Sequence, residues 1–595
     1  MAFSRNIHHH QPKTSPPSSK IPINNNNNHY SSSNQKLFIT CLSFLSFALL
    51  LLILSFRPKP SSESADSLAW LGNRLQAIVR NDVAHRDADT TARSTPPQKK
   101  VAAGAGRTRI GLVNVDENVM RSYEALRLAE VVNVDFQRVS ANLTWKMFFP
   151  TWVDENGPPD SNNNCPEVPM PRLDEPRYKD LDVVVAEVPC GGSNNGSEGI
   201  RDVFRLQVNL VVANLVVAAA GNGDRTVHVV FIGSCGPMPE IFRCDDMLTH
   251  VGDYWVYQPD LNRLREKVSM PVGSCQIAPP FGPAGKESGR SNFQAQPNHH
   301  QKQAYVTVLH SSEAYVCGAI ALAQSIKLTN STKDLILLHD SSITPSSLAG
   351  LRSAGWTTRP IKPIRSTFAP KNSYNEWNYS KLRIWQIQDY DKVVFIDSDL
   401  LILRNMDHIF QYPQLSAGPN DRHLFNSGIM VIEPSSCAFQ DLMTKTDQVA
   451  SYNGGDQGFL NEMFTWWHRL PRKVNWLKAF EVKGDGTDVE DVSRRPGDEV
   501  YGLHLLGMKP WMCYRDYDCN WDSVDHHQFA SDAAHRKWWE VYDAMPRKLK
   551  GFCGLSREVD ERIRKGRRVA KSRKLRNGRW RIRVKDPRRD RLIKG

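Results

Sequence analysis

The sequence predicts an α/β protein: a mostly parallel, wound sheet preceded by a smaller α/β region, a stem and one transmembrane helix. Three observations carry that prediction. From Ala304 onward, short apolar runs alternate with stretches whose apolar residues recur every three or four positions. Between residues 108 and 280 the same alternation occurs on a smaller scale. Leu37–Phe56, LFITCLSFLSFALLLLILSF, carries no charge over twenty residues, which is about 30 Å of helix.

Residues 1–36 hold an Asn run (Asn24–Asn28), a His run and no acidic residue. That composition predicts a disordered cytosolic tail. The apolar span 37–56 reads as a signal-anchor rather than a cleaved signal peptide. It is longer than a typical h-region, and Arg57, Pro58 and Lys59 follow it directly. Residues 57–107 form a stem rich in Ser, Thr, Pro and charge, with local helix expected over Ser67–Val79. Four glycosylation sequons start at Asn142, Asn195, Asn330 and Asn378, all after the span. Ten of the 11 cysteines also follow it, an even number that suits an oxidising lumen. A type II membrane protein with a luminal body is therefore expected.

Strands are expected at Arg109–Val115, Leu181–Val188 and Val227–Gly233, with a helix over Gly199–Ala220. These make residues 108–280 an accessory α/β region without a legible catalytic site, and a Pro- and Gly-rich linker occupies 281–302. The main unit spans 303–545. It opens with strand Ala304–His310, and a helix capped by Ser312 follows. Strand Asp334–His339, a helix after Thr344-Pro345, helix Lys381–Ile387 and strand Lys392–Ile396 complete the alternation. Residues 546–595 form a basic extension. From Arg557 onward there are 18 Lys/Arg and five Asp/Glu, so this segment carries the whole net charge of +13. It reads as a solvated extension or as a surface for acidic polysaccharide, anionic lipid or a partner. Nucleic acid is not an expected partner, since no groove-reading motif accompanies the charge.

In wound sheets ligands bind beyond the carboxyl ends of the strands. The segment KVVFIDSDLLILRN puts Asp397 and Asp399 there. Carboxylates two residues apart in extended chain face the same side and can share a hard cation such as Mg²⁺ or Mn²⁺. A turn or a helix cap would use the same residues. Two other Asp-x-Asp pairs fit less well: Asp389/Asp391 precedes the strand, and Asp516/Asp518 sits in a loop between Cys513 and Cys519. Downstream, LFNSGIMVIEPS offers Asn426, Ser427 and Gly428 just before an apolar strand. YNGGDQGFLNEMF places Asp456 and Gln457 at a helix start, and YGLHLLGMKPW sets His504 five residues before Lys509. Singly, Asp456 reads as a helix-start acid, His504 as a structural histidine and Lys509 as a surface charge.

Taken in order after AYVTVLHSSEAYVCGAIAL, these segments resemble the glycogenin-like retaining glycosyltransferases of family 8, over residues 303–545. The resemblance implies a GT-A fold, in which a nucleotide-sugar-binding Rossmann-like half merges with an acceptor-binding half. The anchor and the accessory region further resemble the plant xylan α-glucuronosyltransferase subgroup, also described as starch-initiation-like.

That resemblance implies transfer of glucuronate from UDP-glucuronate to xylan in an α-1,2 linkage, in the Golgi membrane and within reach of a Golgi enzyme complex. A glycogenin-like glucan primer using UDP-glucose and a non-catalytic polysaccharide-binding scaffold are the alternatives. By the resemblance, Asp397, Asp399 and His504 would hold Mn²⁺, and Ser398 with Asp399 would approach the ribose and diphosphate. Lys509 would neutralise the diphosphate, with Leu505, Leu506, Gly507 and Met508 forming its loop. Tyr315 would stack on uracil, and Lys381 would reach the nucleotide sugar. Asn426, Ser427 and Gly428, then Asn453, Gly454, Gly455, Asp456 and Gln457, would line the sugar pocket. Asp456, Lys381 and Gln457 are the expected catalytic group. Self-glucosylating members can carry Asp where this chain has Asn453, so a double displacement that needs that acid and a front-face attack are both open at this point.

Overall fold

The computed structural model describes residues 108–116, 129–149, 165–190, 201–221, 225–278, 301–421, 423–478, 480–482, 489–491, 500–515, 532–574, 579–581 and 583–589. The expected tail, signal-anchor and stem lie outside these residues, as do nearly all of the linker, the Asn195 sequon and the Asp516/Asp518 pair.

The first unit contains β1 (Thr108–Val113), β2 (Ala129–Asn133), β3 (Val183–Glu187), α1 (Val203–Ala220), β4 (His228–Ile232), β5 (Met247–Val251), β6 (Tyr254–Tyr257) and α2 (Leu261–Val268). Its sheet runs β2-β1-β3-β4-β6-β5, with the first four strands parallel. Asp202 caps α1 by accepting from Arg205 N at 2.8 Å. This helix is long and apolar enough to cross a membrane by length and composition, yet nearly all of it is buried within the domain. Its polar residues show why it belongs there: Gln207 Nε2 donates to the carbonyls of Gln137 and Pro169 at 2.9 and 2.7 Å.

The second unit begins with β7 (Gln303–Leu309), α3 (Val316–Leu328), β8 (Asp334–His339), α4 (Pro345–Ala354) and β9 (Thr357–Pro360). Then come β10 (Lys392–Ile396), β11 (Leu400–Ile402), β12 (Ser416–Pro419), β13 (Phe425–Ile432), α5 (Ser436–Lys445), α6 (Asp456–Met463), β14 (His468–Arg469) and β15 (Trp476–Leu477). A hairpin of β16 (Phe480–Val482) and β17 (Val489–Asp491), strand β18 (Gly502–His504), α7 (Asp532–Ala544) and α8 (Arg557–Ser572) complete it. The main sheet is ordered β14-β12-β13-β10-β7-β8-β9. Strands β10, β7, β8 and β9 are mutually parallel, and β13 runs antiparallel to β10. The wound direction reverses between β7 and β10, so the ligand crevice lies past Leu309 and Ile396.

Period-two burial fixes what covers this sheet. Tyr305, Val394 and Ile396 face a core shared with α3 and α7. Ala304, Val306, Val393 and Phe395 face the opposite core, which includes Phe148, Phe149 and Val203 of the first unit. The expected helix at Lys381–Ile387 is instead a 3-10 helix over Asn378–Gln386. Its three-residue period puts Tyr379, Leu382 and Trp385 on one fully buried stripe. Asn426, Ser427 and Gly428 lie inside β13 rather than just before it.

The first unit is built into the second. Cys244 is disulfide-bonded to Cys437, Arg243 pairs with Glu433 at 2.8 Å, and Lys392 pairs with Glu266 at 2.8 Å. Cys165–Cys275, Cys190–Cys235 and Cys317–Cys553 are also bonded. The basic C-terminal segment is not a solvated extension throughout. α8 buries Asp560, Ile563, Gly566 and Ala570, and the buried Arg588 donates to the Trp511 carbonyl at 3.0 Å.

Candidate active site

Strand β10 ends at Ile396, and the backbone turns through Asp397 and Asp399 into β11. β11 pairs antiparallel with β18, with Leu400 opposite His504. This pairing carries a residue more than a hundred positions downstream to the two carboxylates. One ligand atom each of Asp397, Asp399 and His504 lies within 4.8 Å of the others. A second cluster of possible metal ligands among the described residues, Cys244, Asp245 and Cys437, is accounted for by its disulfide.

Asparagines fix the histidine. The Asn475 amide oxygen faces His504 Nδ1 at 3.1 Å, so that nitrogen carries a proton and Nε2 is held on the Asp399 side, 3.3 Å from Oδ1. Asn475 Nδ2 in turn donates to Asn426 Oδ1 at 2.9 Å, which also accepts from Gly428 N at 2.9 Å. Gly428 is required by space: a Cβ there would lie 2.5 Å from His504 Cε1. Asn426 and Gly428 thus support the histidine from behind. Two carboxylates and an oriented imidazole form a donor set that fits a divalent cation.

Lys509 closes the other side. Its Nζ pairs with Asp399 Oδ2 and donates to the Leu505 carbonyl at 2.7 Å. Gly507 sits at φ +71°, where a glycine is needed to turn the loop back. Met508 is anchored by Lys478 Nζ, which donates to its carbonyl at 2.9 Å. Leu506 N donates to the His504 carbonyl at 3.0 Å and Leu505 N to the Asp399 carbonyl at 2.9 Å, so the loop and the metal strand are joined. Burial opposes ionisation of Asp399, but Lys509 and then His504 outweigh it and hold its carboxyl well below the usual range. Desolvation raises Asp397 despite Lys381.

The third part surrounds Lys381. Its buried Nζ lies 2.5 Å from Asp456 Oδ2 and 3.3 Å from Asp397 Oδ1. Burial disfavours its charge, yet Asp397 and Asp456 raise its pKa. Ser427 Oγ donates to Asp456 Oδ2 at 2.8 Å, and Gln457 Oε1 accepts from Ser427 N at 3.3 Å. Gly455 starts α6 and Gly454 has φ +69°. Asn453 faces inward: its Oδ1 accepts from Gly455 N, Gly458 N and Ser451 Oγ at 2.9, 3.2 and 3.0 Å. It organises the loop.

Tyr315 is half-buried at the far end, edge-on to Trp511 at 5.9 Å and below Lys509 Nζ at 5.8 Å. Gly318 in α3 lets Ser398 pass close, since a Cβ there would sit 2.4 Å from the Ser398 carbonyl. Asp389 lies elsewhere, in a two-point pair with Arg359 at 2.7 Å. Asn475 and Gly318 were not legible as site residues: Asn475 sits in KVNWLK, outside the quoted motifs, and Gly318 in the apolar helix of AYVTVLHSSEAYVCGAIAL, where nothing marks the close approach of Ser398.

Two family models match the chain: the GUX1-5 N-terminal domain over residues 82–275 and Glycosyl transferase family 8 over 306–417. The chain is 50% identical to the putative UDP-glucuronate:xylan alpha-glucuronosyltransferase 5 of Arabidopsis thaliana, over 93% of this chain and 97% of that one. It is 45% identical to UDP-glucuronate:xylan alpha-glucuronosyltransferase 2 of the same plant, over 87% and 88%. Its similarity to human glycogenin-1 is 28% and covers 40% of this chain and 71% of that one. Both halves of the molecule are thus shared with the plant proteins, and the chain belongs to the UDP-glucuronate:xylan alpha-glucuronosyltransferase family, with a catalytic half of glycosyltransferase family 8.

Proposed function

We propose that this protein is a retaining, Mn²⁺-dependent glycosyltransferase that moves glucuronate from UDP-glucuronate to O-2 of xylose residues in xylan. The observation that carries the reading is near full-length identity with the plant glucuronosyltransferases, including the N-terminal domain. The convergence of Asp397, Asp399 and His504 supports it independently. The likeness to glycogenin-1 covers only 40% of this chain, so it does not favour a glucan-priming role.

Asp397, Asp399 and His504 would hold the ion, and imidazole suits Mn²⁺ better than Mg²⁺. The bound ion would supply Lewis-acid stabilisation of the donor's diphosphate. Lys509, already charged and buried beside Asp399, stabilises negative charge developing on the departing diphosphate. Tyr315 and Ser398 hold the nucleoside end. Lys381 and Gln457 orient the sugar and fix Asp456 beneath it.

Asp456 Oδ2 is engaged by Lys381 and Ser427. A carboxylate oxygen accepting two such bonds is a poor nucleophile, and Asn453 is spent on the helix start. Both features favour front-face attack, with the acceptor proton passing to the leaving diphosphate oxygen as the glycosidic bond forms on the same face. The protein is further proposed to be a Golgi type II membrane glycoprotein working among other Golgi enzymes. Two sequon asparagines, Asn142 and Asn330, are exposed. Asn378, by contrast, starts a folded 3-10 helix, and its sequon's Ser380 is fully buried.

The test is a donor panel. The luminal region is incubated with Mn²⁺, xylohexaose and UDP-glucuronate, UDP-glucose, UDP-galactose or UDP-xylose. Glucuronate transfer is expected, and transfer from UDP-glucose alone would sink the donor assignment.

A further inference from the structure

Among the described residues, the exposed large aromatic side chains are Phe368, Tyr374 and Tyr452, at 38%, 57% and 55% exposure. Aromatic rings left in water cost free energy and mark a binding surface when they gather at one place. The two loops that carry these three are stitched together. Ser366 Oγ donates to the Gly454 carbonyl at 2.7 Å, and Asn375 Nδ2 donates to the Asn453 carbonyl at 2.7 Å. Thr367 Oγ1 donates to the Thr446 carbonyl at 2.8 Å. The Phe368 backbone passes so near Gly454 that a Cβ there would meet its carbonyl at 3.0 Å.

The rings divide by what they touch. Tyr374 lies near Tyr315, Asp399 and Asp397, which puts it on the nucleoside side. Tyr452 lies at the other end: its hydroxyl accepts from Gln457 Nε2 at 2.6 Å, one residue from Asp456. Phe368 borders the same Gly454 bend. Among the described residues neither Phe368 nor Tyr452 stacks on another ring. Their immediate neighbours Thr367, Ala369, Ser451 and Asn453 are uncharged. Apolar ring faces close to the carboxyl groups of Asp421 and Asp456 fit a neutral sugar chain, whose C–H faces stack on aromatic rings while its hydroxyls meet carboxylates and side-chain amides.

We propose that Phe368 and Tyr452 form the acceptor platform, on which consecutive pyranose rings of a neutral β-linked xylose chain stack beside Asp456. This rests on the transferase reading and adds which surface takes the acceptor. Tyr452 is the ring nearest the reacting centre, and Phe368 extends the platform across the joined loops.

The test uses Phe368→Ala, Tyr452→Ala and Tyr452→Phe, with Leu248→Ala as a control. Leu248 is equally exposed but lies on β5 of the first unit. Each alanine variant is expected to raise the KM for xylohexaose about five- to thirty-fold, while the KM for UDP-glucuronate stays within twofold. Tyr452→Phe retains most acceptor affinity, since the ring is kept. Migration in xylan-containing native gels reads binding without transfer: the wild type is retarded and the alanine variants are released. Unchanged acceptor KM and unchanged retardation in both alanine variants would overturn the platform while leaving the transferase reading intact, as would a rise confined to the donor KM. A wild type that is retarded by xylan yet transfers no glucuronate would instead defeat the transferase reading and leave the platform standing.

Discussion

Gly428 illustrates how much of this site is decided by space around a single side chain. Nothing larger fits beside His504 Cε1, and the Asn426–Asn475 pair holds the ring from its other nitrogen. Gly428→Ala is therefore expected to displace the imidazole and weaken Mn²⁺ binding about 10- to 100-fold, the range typical of groups that orient a metal ligand. Electron paramagnetic resonance of free Mn²⁺ during titration measures this without turnover. Binding equal to wild type would remove His504 from the metal set. The sequence made Asp397, Asp399, His504 and Lys509 legible because strand direction and motif order both point at them. It could not reveal Asn475, since an asparagine between Val474 and Trp476 looks like any turn residue until β15 is paired with β18.

At the scale of elements, the start of α6 shows the same limit. NGGDQG reads as a sugar-facing loop, and within it Asp456 pairs with Lys381 and Ser427 while Gln457 accepts from Ser427 N. Asn453 is tied into the loop itself, because three donors converge on its side-chain oxygen. Asn453→Ala is expected to cost about 1–2 kcal/mol of stability, as loss of a helix-start acceptor does, while Asn453→Asp keeps the acceptor and the stability. Thermal unfolding of both variants checks this; equal losses would mean that the oxygen is not the stabilising atom. The segment Asn378–Gln386 was legible as helical, but its 3-10 period was not. An apolar spacing of three is short of evidence until Tyr379, Leu382 and Trp385 are seen on one stripe.

Across the whole molecule, the region that looked accessory is locked to the catalytic sheet by a disulfide and a buried charge cluster. Sequence patterning reveals each sheet separately, but not that Arg243 and Glu433, 190 positions apart, would meet. Burial opposes the charge on Glu433, yet Lys392, Arg243 and Lys267 outweigh it and hold its pKa down to about 2, from an ordinary 4.5. A carboxyl with a lowered folded-state pKa contributes stability that is complete above its unfolded value and disappears as pH falls toward the folded one. The protein is thus expected to lose on the order of 3 kcal/mol between about pH 4.5 and pH 2 through this group. Glu433→Gln should flatten that part of the urea-unfolding profile and lower stability at pH 7; an unchanged acid limb would remove Glu433 from the lock. Asp397, Asp399, His504 and Lys509 together are proposed to be a complete metal-diphosphate site. Its most direct test is glucuronate transfer to xylohexaose by the purified protein, with and without Mn²⁺, beside Asp399→Asn. Transfer that needs Mn²⁺ and falls at least about 100-fold in the variant is predicted; transfer at the wild-type rate by Asp399→Asn, or undiminished after chelation, would contradict the account.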